Sequence, residues 1–241
     1  MDTSVGKMQE LNSNGFTVIE NLFDEGEVNN LIAAIDAVEA NEPTFRKSAD
    51  LFAIRQFLKE VPEVFPYFFN DRLRHAITAI FGRDYFMVKS IYFDKPPLSN
   101  WFVAYHQDIT ISVAEKFPFE GYVNWTVKQG YIAVQPPAEI LGDNFTVRLH
   151  LDDTDENNGA LKVIAGSHNN GILQNPAGLP GDKGTVCPVK KGGVMIMRPL
   201  LRHASGRTLN GKRRRVIHIE FSKAVLPEPL QWAEKQLVEW L

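Results

Sequence analysis

Beyond Tyr85, apolar residues recur at every second position in six segments: 85–94, 105–113, 144–153, 160–165, 192–199 and 214–223. A period of two belongs to strands whose two faces meet different surroundings. Turn formers separate the segments, at Pro96-Pro97, Asn157-Asn158-Gly159, Gly192-Gly193 and Asn210-Gly211. Ahead of them the period is mostly helical. A short apolar strand, Phe16 to Ile19, leads to Asp24, a natural N-cap, and the pattern from Asp24 to Ala40 puts Val28, Leu31, Ile32, Ile35 and Val38 on one face. Residues 51–60 and 71–82 read as further helices, and so does the closing stretch 230–241. Helices followed by a run of strands predict an α+β, mainly β fold built on a sandwich or barrel. No shift in composition marks a linker in the 241 residues, so one domain over 1–241 is expected.

Three strand segments carry polar groups in an unusual arrangement. His106 and Asp108 lie two residues apart, followed at the same spacing by Thr110 and Ser112. In 144–153, Phe145, Val147, Leu149 and Leu151 share one face, while Thr146, Arg148, His150 and Asp152 share the other. In 214–223, Arg214, His218 and Glu220 oppose Ile217, Ile219 and Phe221. Such faces are either solvated or turned toward a polar ligand inside a barrel.

The remaining bounds are simple. A net charge of −3 gives no reason to expect nucleic acid or an anionic membrane as partner. Cys187 is the single cysteine, which excludes a disulfide scaffold and suits a reducing cytosolic compartment. The first fifteen residues lack the apolar core of a signal peptide, and no apolar run is long enough to cross a bilayer. A soluble, cytoplasmic protein acting on a small molecule is expected, with its oligomeric state open.

His106 and Asp108 could bind one cation from the same side of a strand, but an H-x-D pair by itself is common. A third ligand is available in His203, just beyond the segment 192–199. Two histidines and one carboxylate on one face of an octahedral ion leave the opposite positions open, as in non-haem Fe(II) oxygenases. Iron suits such a set better than zinc, because the open positions must accept a chelating cosubstrate and O2. Ser205 follows His203 by two residues. Arg214 opens the last strand segment and, if 203–205 and 214–218 are antiparallel neighbours, can bring a guanidinium to the pocket for a carboxylate.

At this point the chain resembles the phytanoyl-CoA dioxygenase-like Fe(II)/2-oxoglutarate-dependent oxygenases. The likeness runs through NGFTVIENLFDEGEVNNLIAAID, KSIYFDKPPLSNWFVAYHQD, LDDTDENNGALKVIAGSH and RHASGRTLNGKRRRVIHIEF, and so covers nearly the whole chain. The resemblance implies a double-stranded β-helix, or jelly-roll barrel, with supporting helices. It implies that His106, Asp108 and His203 ligate Fe(II), and that Arg214 and Ser205 hold the distal carboxylate of 2-oxoglutarate. It further implies oxidation of an unactivated C–H bond with O2, releasing succinate and CO2. Tyr105 and Arg148 stand about where many relatives carry tryptophan. Asp108 is intact, whereas a small residue there would have suggested a halogenase.

Arg148, Lys89, Ile91 and Tyr105 are the candidate substrate residues. An inward Arg148 would favour an anionic group, with a structural ion pair as its alternative. The aromatic-rich stretch 114–143 reads as a long loop suited to a lid. His168 and His75 read as structural and surface residues, Cys187 as unreactive, and the acidic run Asp152, Asp153, Asp155 and Glu156 as a solvated turn. Two competing readings are a catalytically silent binding protein of the same fold and a protein side-chain hydroxylase.

Overall fold

The structure, a computed structural model, describes residues 3–38, 44–48, 50, 52–128, 131–177 and 184–241. The helices are α1 (Thr3–Asn14), α2 (Glu25–Asp36), α3 (Phe57–Glu60), α4 (Val64–Phe68), α5 (Asp71–Phe81) and α6 (Ala138–Gly142). The strands are β1 (Phe16–Ile19), β2 (Phe45–Lys47), β3 (Phe52–Arg55), β4 (Phe86–Lys95), β5 (Val103–His106), β6 (Ile111–Ser112), β7 (Val123–Lys128) and β8 (Tyr131–Gln135). They continue with β9 (Asn144–His150), β10 (Leu161–Val163), β11 (Thr185–Cys187), β12 (Val194–Met197), β13 (His203–Ser205) and β14 (Arg214–Ser222).

Three antiparallel sheets result. The largest has seven strands in the order β1-β12-β9-β14-β4-β3-β2, the second has four in the order β11-β10-β13-β5, and the third has three in the order β6-β8-β7. The mainly β, jelly-roll character expected from the sequence is present, as two facing sheets rather than one closed hydrogen-bonded barrel among the described residues. Strand β14 is the spine of the large sheet, pairing with β4 from Arg214↔Lys95 to Ser222↔Phe86 and with β9 from Val216↔His150 to Ser222↔Asn144.

The apolar alternation decides where the helices dock. Phe145, Val147, Leu149, Leu151, Ile217, Ile219 and Phe221 form one cluster with Val28 and Leu31 of α2, Phe68 of α4, and Leu73 and Ile77 of α5. Each of these side chains contributes roughly 1.5–3 kcal/mol on burial, before the entropy of ordering it. Helix α2 starts where Asp24 and Glu27 close a reciprocal capping box, and α5 starts where Asn70 accepts from Leu73 N. A second apolar layer, Leu161, Val163 and Cys187 with Met195 and Met197, joins the four-stranded sheet to the large one. No helix among the described residues is long and apolar enough to cross a membrane.

Several expectations are corrected. Residues 51–60 are not one helix: β3 pairs with β4, Gln56 turns the chain at φ 51°, and only Phe57–Glu60 is helical. Leu51 lies outside the described residues, as do Glu39 and Ala40 at the end of the pattern that became α2. The closing stretch 230–241 is extended. Its backbone pairs with sheet edges through Ala233 N to Ser112 O at 3.0 Å and Gln236 N to Met87 O at 3.1 Å, and Leu230, Trp232 and Glu234 are buried at a spacing of two. The stretch 114–143 is not a bare loop, since β7, β8 and α6 occupy much of it, with Gln129 and Gly130 outside the described residues. Helix α1 carries no strong amphipathic pattern, which is why no helix was expected there; it buries Leu11 in the main core.

Candidate active site

The segment 105–113 is not a single strand. It splits into β5 and β6, which belong to different sheets, and Asp108 sits in the bend between them. The bend is held by Asp108 N donating to Pro199 O at 2.9 Å. Buried Gln107 fastens it further, donating to Leu200 O at 2.7 Å and Gly171 O at 2.9 Å and accepting from Leu173 N at 2.8 Å. His106 remains on β5, directly opposite His203 on β13. The two rings lie 4.2 Å apart. His106 Nε2 is 3.8 Å from Asp108 Oδ1, and His203 Nε2 is 3.7 Å from Asp108 Oδ2. One ligand atom from each of the three residues lies within 4.8 Å of the others. Nitrogen and oxygen ligands about 2.1 Å from one ion stand about 3–4 Å apart, so these residues could hold a metal without large movement.

Both imidazoles are oriented the same way. The Nδ1 atoms of His106 and His203 lie 2.9 Å from Ala104 O and Leu201 O, the carbonyls two residues earlier. A carbonyl only accepts, so Nδ1 carries the proton and Nε2 offers its lone pair to the site. Burial pushes the His203 imidazole down to about 4, with Asp108 opposing the shift, so it is neutral at pH 7 and able to ligate. Burial would raise the Asp108 carboxyl, but His203, His218, His106 and Lys89 outweigh it and hold the group well below the usual carboxylate range. Two imidazoles that turn Nε2 toward an ionised carboxylate form the donor set that a divalent iron requires.

Arg214 and Ser205 also meet, though by a route different from the expected hairpin. Strand β13 pairs with β10 and β5, while β14 pairs with β9 and β4, so the two residues face each other across the sandwich. Arg214 Nη1 donates to Ser205 Oγ at 3.2 Å and to Gly159 O. Ser205 Oγ itself donates to Gly159 O at 3.1 Å. Gly159 has φ +86°, and a Cβ there would lie 2.8 Å from Gly206 O and 3.2 Å from Ser205 Oγ, so glycine is required. Lys95, fully buried, donates to Gly206 O beside them, and burial together with Arg214 pushes its ammonium down to about 8. Burial and Arg148 lower the Arg214 guanidinium to about 9, and its Nε has no partner among the described residues. Clustered cations with an unpartnered donor form an end suited to a carboxylate.

The acidic run is the scaffold for this corner and only partly solvated. Asp152 binds Arg215 through two contacts at 2.7 and 2.9 Å, Asp153 binds Lys190 at 3.0 Å, and Asp155 accepts from Asn157 N at 2.8 Å. Asn158, buried, bridges Asp155 N and Asp153 O at 2.7 and 2.8 Å, which presents Gly159 to the site.

Between the His106–Asp108–His203 cluster and Arg214 lies a cleft of about 570 Å³, its open mouth included, within the range of small-molecule sites. Lys89, Ile91 and Phe93 of β4, Arg148 of β9, and His218 and Glu220 of β14 line it from the large sheet. Trp101, Val103 and Leu161 close the opposite wall. Arg148 therefore points inward, and the expected structural ion pair is absent among the described residues: its Nη1 lies 2.8 Å from His218 Nδ1. Lys89 binds Glu220 at 2.7 Å; burial opposes its charge, but Glu220, Tyr131 and Asp108 together more than restore it. Tyr105 is not in the cleft lining: alternation along β5 turns it away from His106, and its ring lies 5.7 Å from the Arg202 guanidinium. The sequence put His218 and Glu220 on the polar face with Arg214 but did not mark them as substrate residues; the structure places both in the cleft wall. His168 binds Asn12 O at 3.2 Å, His75 is exposed, and Cys187 is buried with its thiol pushed up to about 12.

The family model described as Phytanoyl-CoA dioxygenase (PhyH) matches residues 11–216. No curated protein matches the chain. Among solved structures, AviO1 from Streptomyces viridochromogenes Tue57 has a TM-score of 0.66 at 18% identity, covering 93% of this chain and 96% of that one. HygX from Streptomyces hygroscopicus, with nickel and 2-oxoglutarate bound, has a TM-score of 0.64 at 16% identity, covering 92% and 88%. EvdMO1 has a TM-score of 0.62 at 19% identity and is the longer protein, the match covering 91% of this chain and 50% of that one. These similarities show a shared fold. With a family match across most of its length, the chain belongs to the phytanoyl-CoA dioxygenase (PhyH) family of Fe(II)- and 2-oxoglutarate-dependent oxygenases.

Proposed function

We propose that the protein hydroxylates an unactivated C–H bond of a small molecule, consuming O2 and 2-oxoglutarate and releasing succinate and CO2, with residues 1–241 acting as one domain. The observation that carries this reading is the convergence of His106, Asp108 and His203 within 4.8 Å, with both Nε2 atoms free. These three residues would hold Fe(II). Arg214 and Ser205 would hold the distal carboxylate of 2-oxoglutarate, which fixes its orientation as well as adding affinity. Iron and keto acid, when bound, would activate O2, which is the oxidant for both the keto acid and the C–H bond. The chain's own work is positioning: Ala104 O and Leu201 O set the imidazole tautomers, Gln107 fixes the bend under Asp108, and the cleft walls shield the reacting carbon. No side chain is needed as a general base. Lys89, Ile91 and Arg148 border the space left for substrate. HygX has been seen with nickel, 2-oxoglutarate and hygromycin B bound, which supports a small-molecule substrate over a protein side chain.

The test is an anaerobic titration of the protein with 2-oxoglutarate, with and without Fe(II), followed by admission of air. Metal-dependent binding and slow succinate release without substrate are expected. Binding that ignores the metal, with no succinate formed, would instead support a silent binding protein.

A further inference from the structure

Arg148 is 6% exposed and lines the cleft, yet among the described residues no carboxylate pairs with it. Its Nη1 donates to His218 Nδ1 at 2.8 Å. That contact makes Nδ1 the acceptor, so His218 Nε2 carries the proton and donates to Glu220 Oε1 at 3.2 Å. Glu220 in turn accepts from Lys89 at 2.7 Å. The chain Arg148–His218–Glu220–Lys89 therefore locks the guanidinium in place while using the nearby carboxylate for Lys89. Asp108 belongs to the proposed metal cluster. Among the described residues, Arg148 Nε is buried with no partner, and so is Nε2 of His150, the next residue on the same face of β9. Burial lowers the Arg148 guanidinium to about 10, Asp108 only partly opposing it, as expected for a cation lacking a counter-ion.

A buried guanidinium without an anion is costly, and a fixed one is a ready recognition element. Arg214 presents a second such group in the same cleft. Two unmatched cations call for two anionic groups. On the proposed function, the distal carboxylate of 2-oxoglutarate satisfies Arg214, while its other carboxylate is neutralised by the metal.

We infer that the primary substrate carries a carboxylate, and that Arg148, fixed by His218, binds it. This rests on the oxygenase reading but goes beyond it by naming the substrate class. Lys89, already held by Glu220, buttresses the site and is not the anchor.

The experiment uses the full chain loaded with Ni(II) and 2-oxoglutarate, the nickel serving as an inert stand-in. Matched probes, hexanoate against hexanamide and benzoate against benzamide, are titrated by calorimetry. A preference for the acid of at least about tenfold is expected, from the strength of a charge-assisted pair. Arg148→Gln should abolish the preference while leaving 2-oxoglutarate binding within about threefold, and Arg148→Lys should retain part of it. Thermal unfolding shows that each variant folds; should Arg148→Gln fail to fold, the lysine variant and the wild-type preference decide. No preference for the acids in the wild-type protein overturns the inference. So does a loss of 2-oxoglutarate affinity in Arg148→Gln as large as that in Arg214→Gln, which would give Arg148 to the cosubstrate. In both cases metal-dependent 2-oxoglutarate binding by the wild type leaves the oxygenase reading standing; its absence sinks that reading separately.

Discussion

Strand β14 turns Ile217, Ile219 and Phe221 to one side and Arg214, His218 and Glu220 to the other, and all six are at most 6% exposed. The outer side meets helices α2, α4 and α5 and is satisfied by packing alone; Phe221 stacks on Phe145 at 5.0 Å and touches Trp240 at 5.7 Å. The inner side is different. Asn144, Thr146, Arg148 and His150 on one face of β9, and Arg214 on β14, each keep a buried polar atom without a partner among the described residues. Buried polar atoms are normally bonded, and each exception costs about 1–3 kcal/mol. Concentration of such exceptions on one face of one sheet marks where stability has been given up for a ligand. The outer face holds the fold; the inner face holds unmet chemistry.

That contrast can be broken by five measurements. The largest effect belongs to Asp108→Ala. It should reduce substrate-independent succinate formation beyond the roughly 10–100-fold that losing an outer partner of a metal ligand costs. Unchanged turnover would remove Asp108 from the ligand set. On the outer face, Phe221→Ala should cost about 3–5 kcal/mol in urea unfolding of the metal-free protein. The same variant, compared per folded molecule, should bind 2-oxoglutarate normally; a specific loss of that binding would show that the two faces are not separable. Arg214→Ala should weaken 2-oxoglutarate by about 10–100-fold, the worth of a lost charge-assisted bond, and leave Fe(II) affinity nearly intact. Equal weakening of both would contradict its assigned place. Gln107→Ala should lower metal affinity by about tenfold by freeing the bend under Asp108, as read by competition with a chelator.

The smallest effect concerns Glu234, buried against Ser90 through bonds of 3.1 Å to its N–H and 2.5 Å to its hydroxyl. Burial raises its carboxyl above the ordinary glutamate value, although the Ser90 donors oppose this. The folded state therefore holds the proton more tightly than the unfolded chain. The contribution is full below the unfolded pKa and falls away as pH rises through the folded one. Glu234→Gln should accordingly stabilise the protein more at pH 7.5 than at pH 4.5, and an equal change at both would refute the shift.

The parts of the site legible in the sequence were those with a local signature. His106 and Asp108 stood out by spacing and His203 and Arg214 by their segment, and the family resemblance joined them. The alternation in 144–153 and 214–223 by itself separated the two faces. Arg148 could be placed on the polar face but not given a partner, because that partner, His218, lies opposite it in the register of a different strand. The hairpin proposed to join Ser205 to Arg214 was wrong, since adjacent segments in the chain went to different sheets. Tyr105 was named among the substrate residues, yet a strand turns neighbours to opposite sides, and it faces away from His106.

By itself the sequence determined the order of helices and strands along most of the chain, the face of each long strand that would be apolar, and the residue types able to bind iron and a dicarboxylate. Those follow from local periodicity and side-chain chemistry. Tertiary structure alone decided that the final residues 230–241 lie extended along sheet edges, that Asp108 leaves its strand, and that Arg148 faces the cleft without a carboxylate. Each of these depends on which distant backbone or side-chain groups are available as partners, and that availability exists only once the sheets have met.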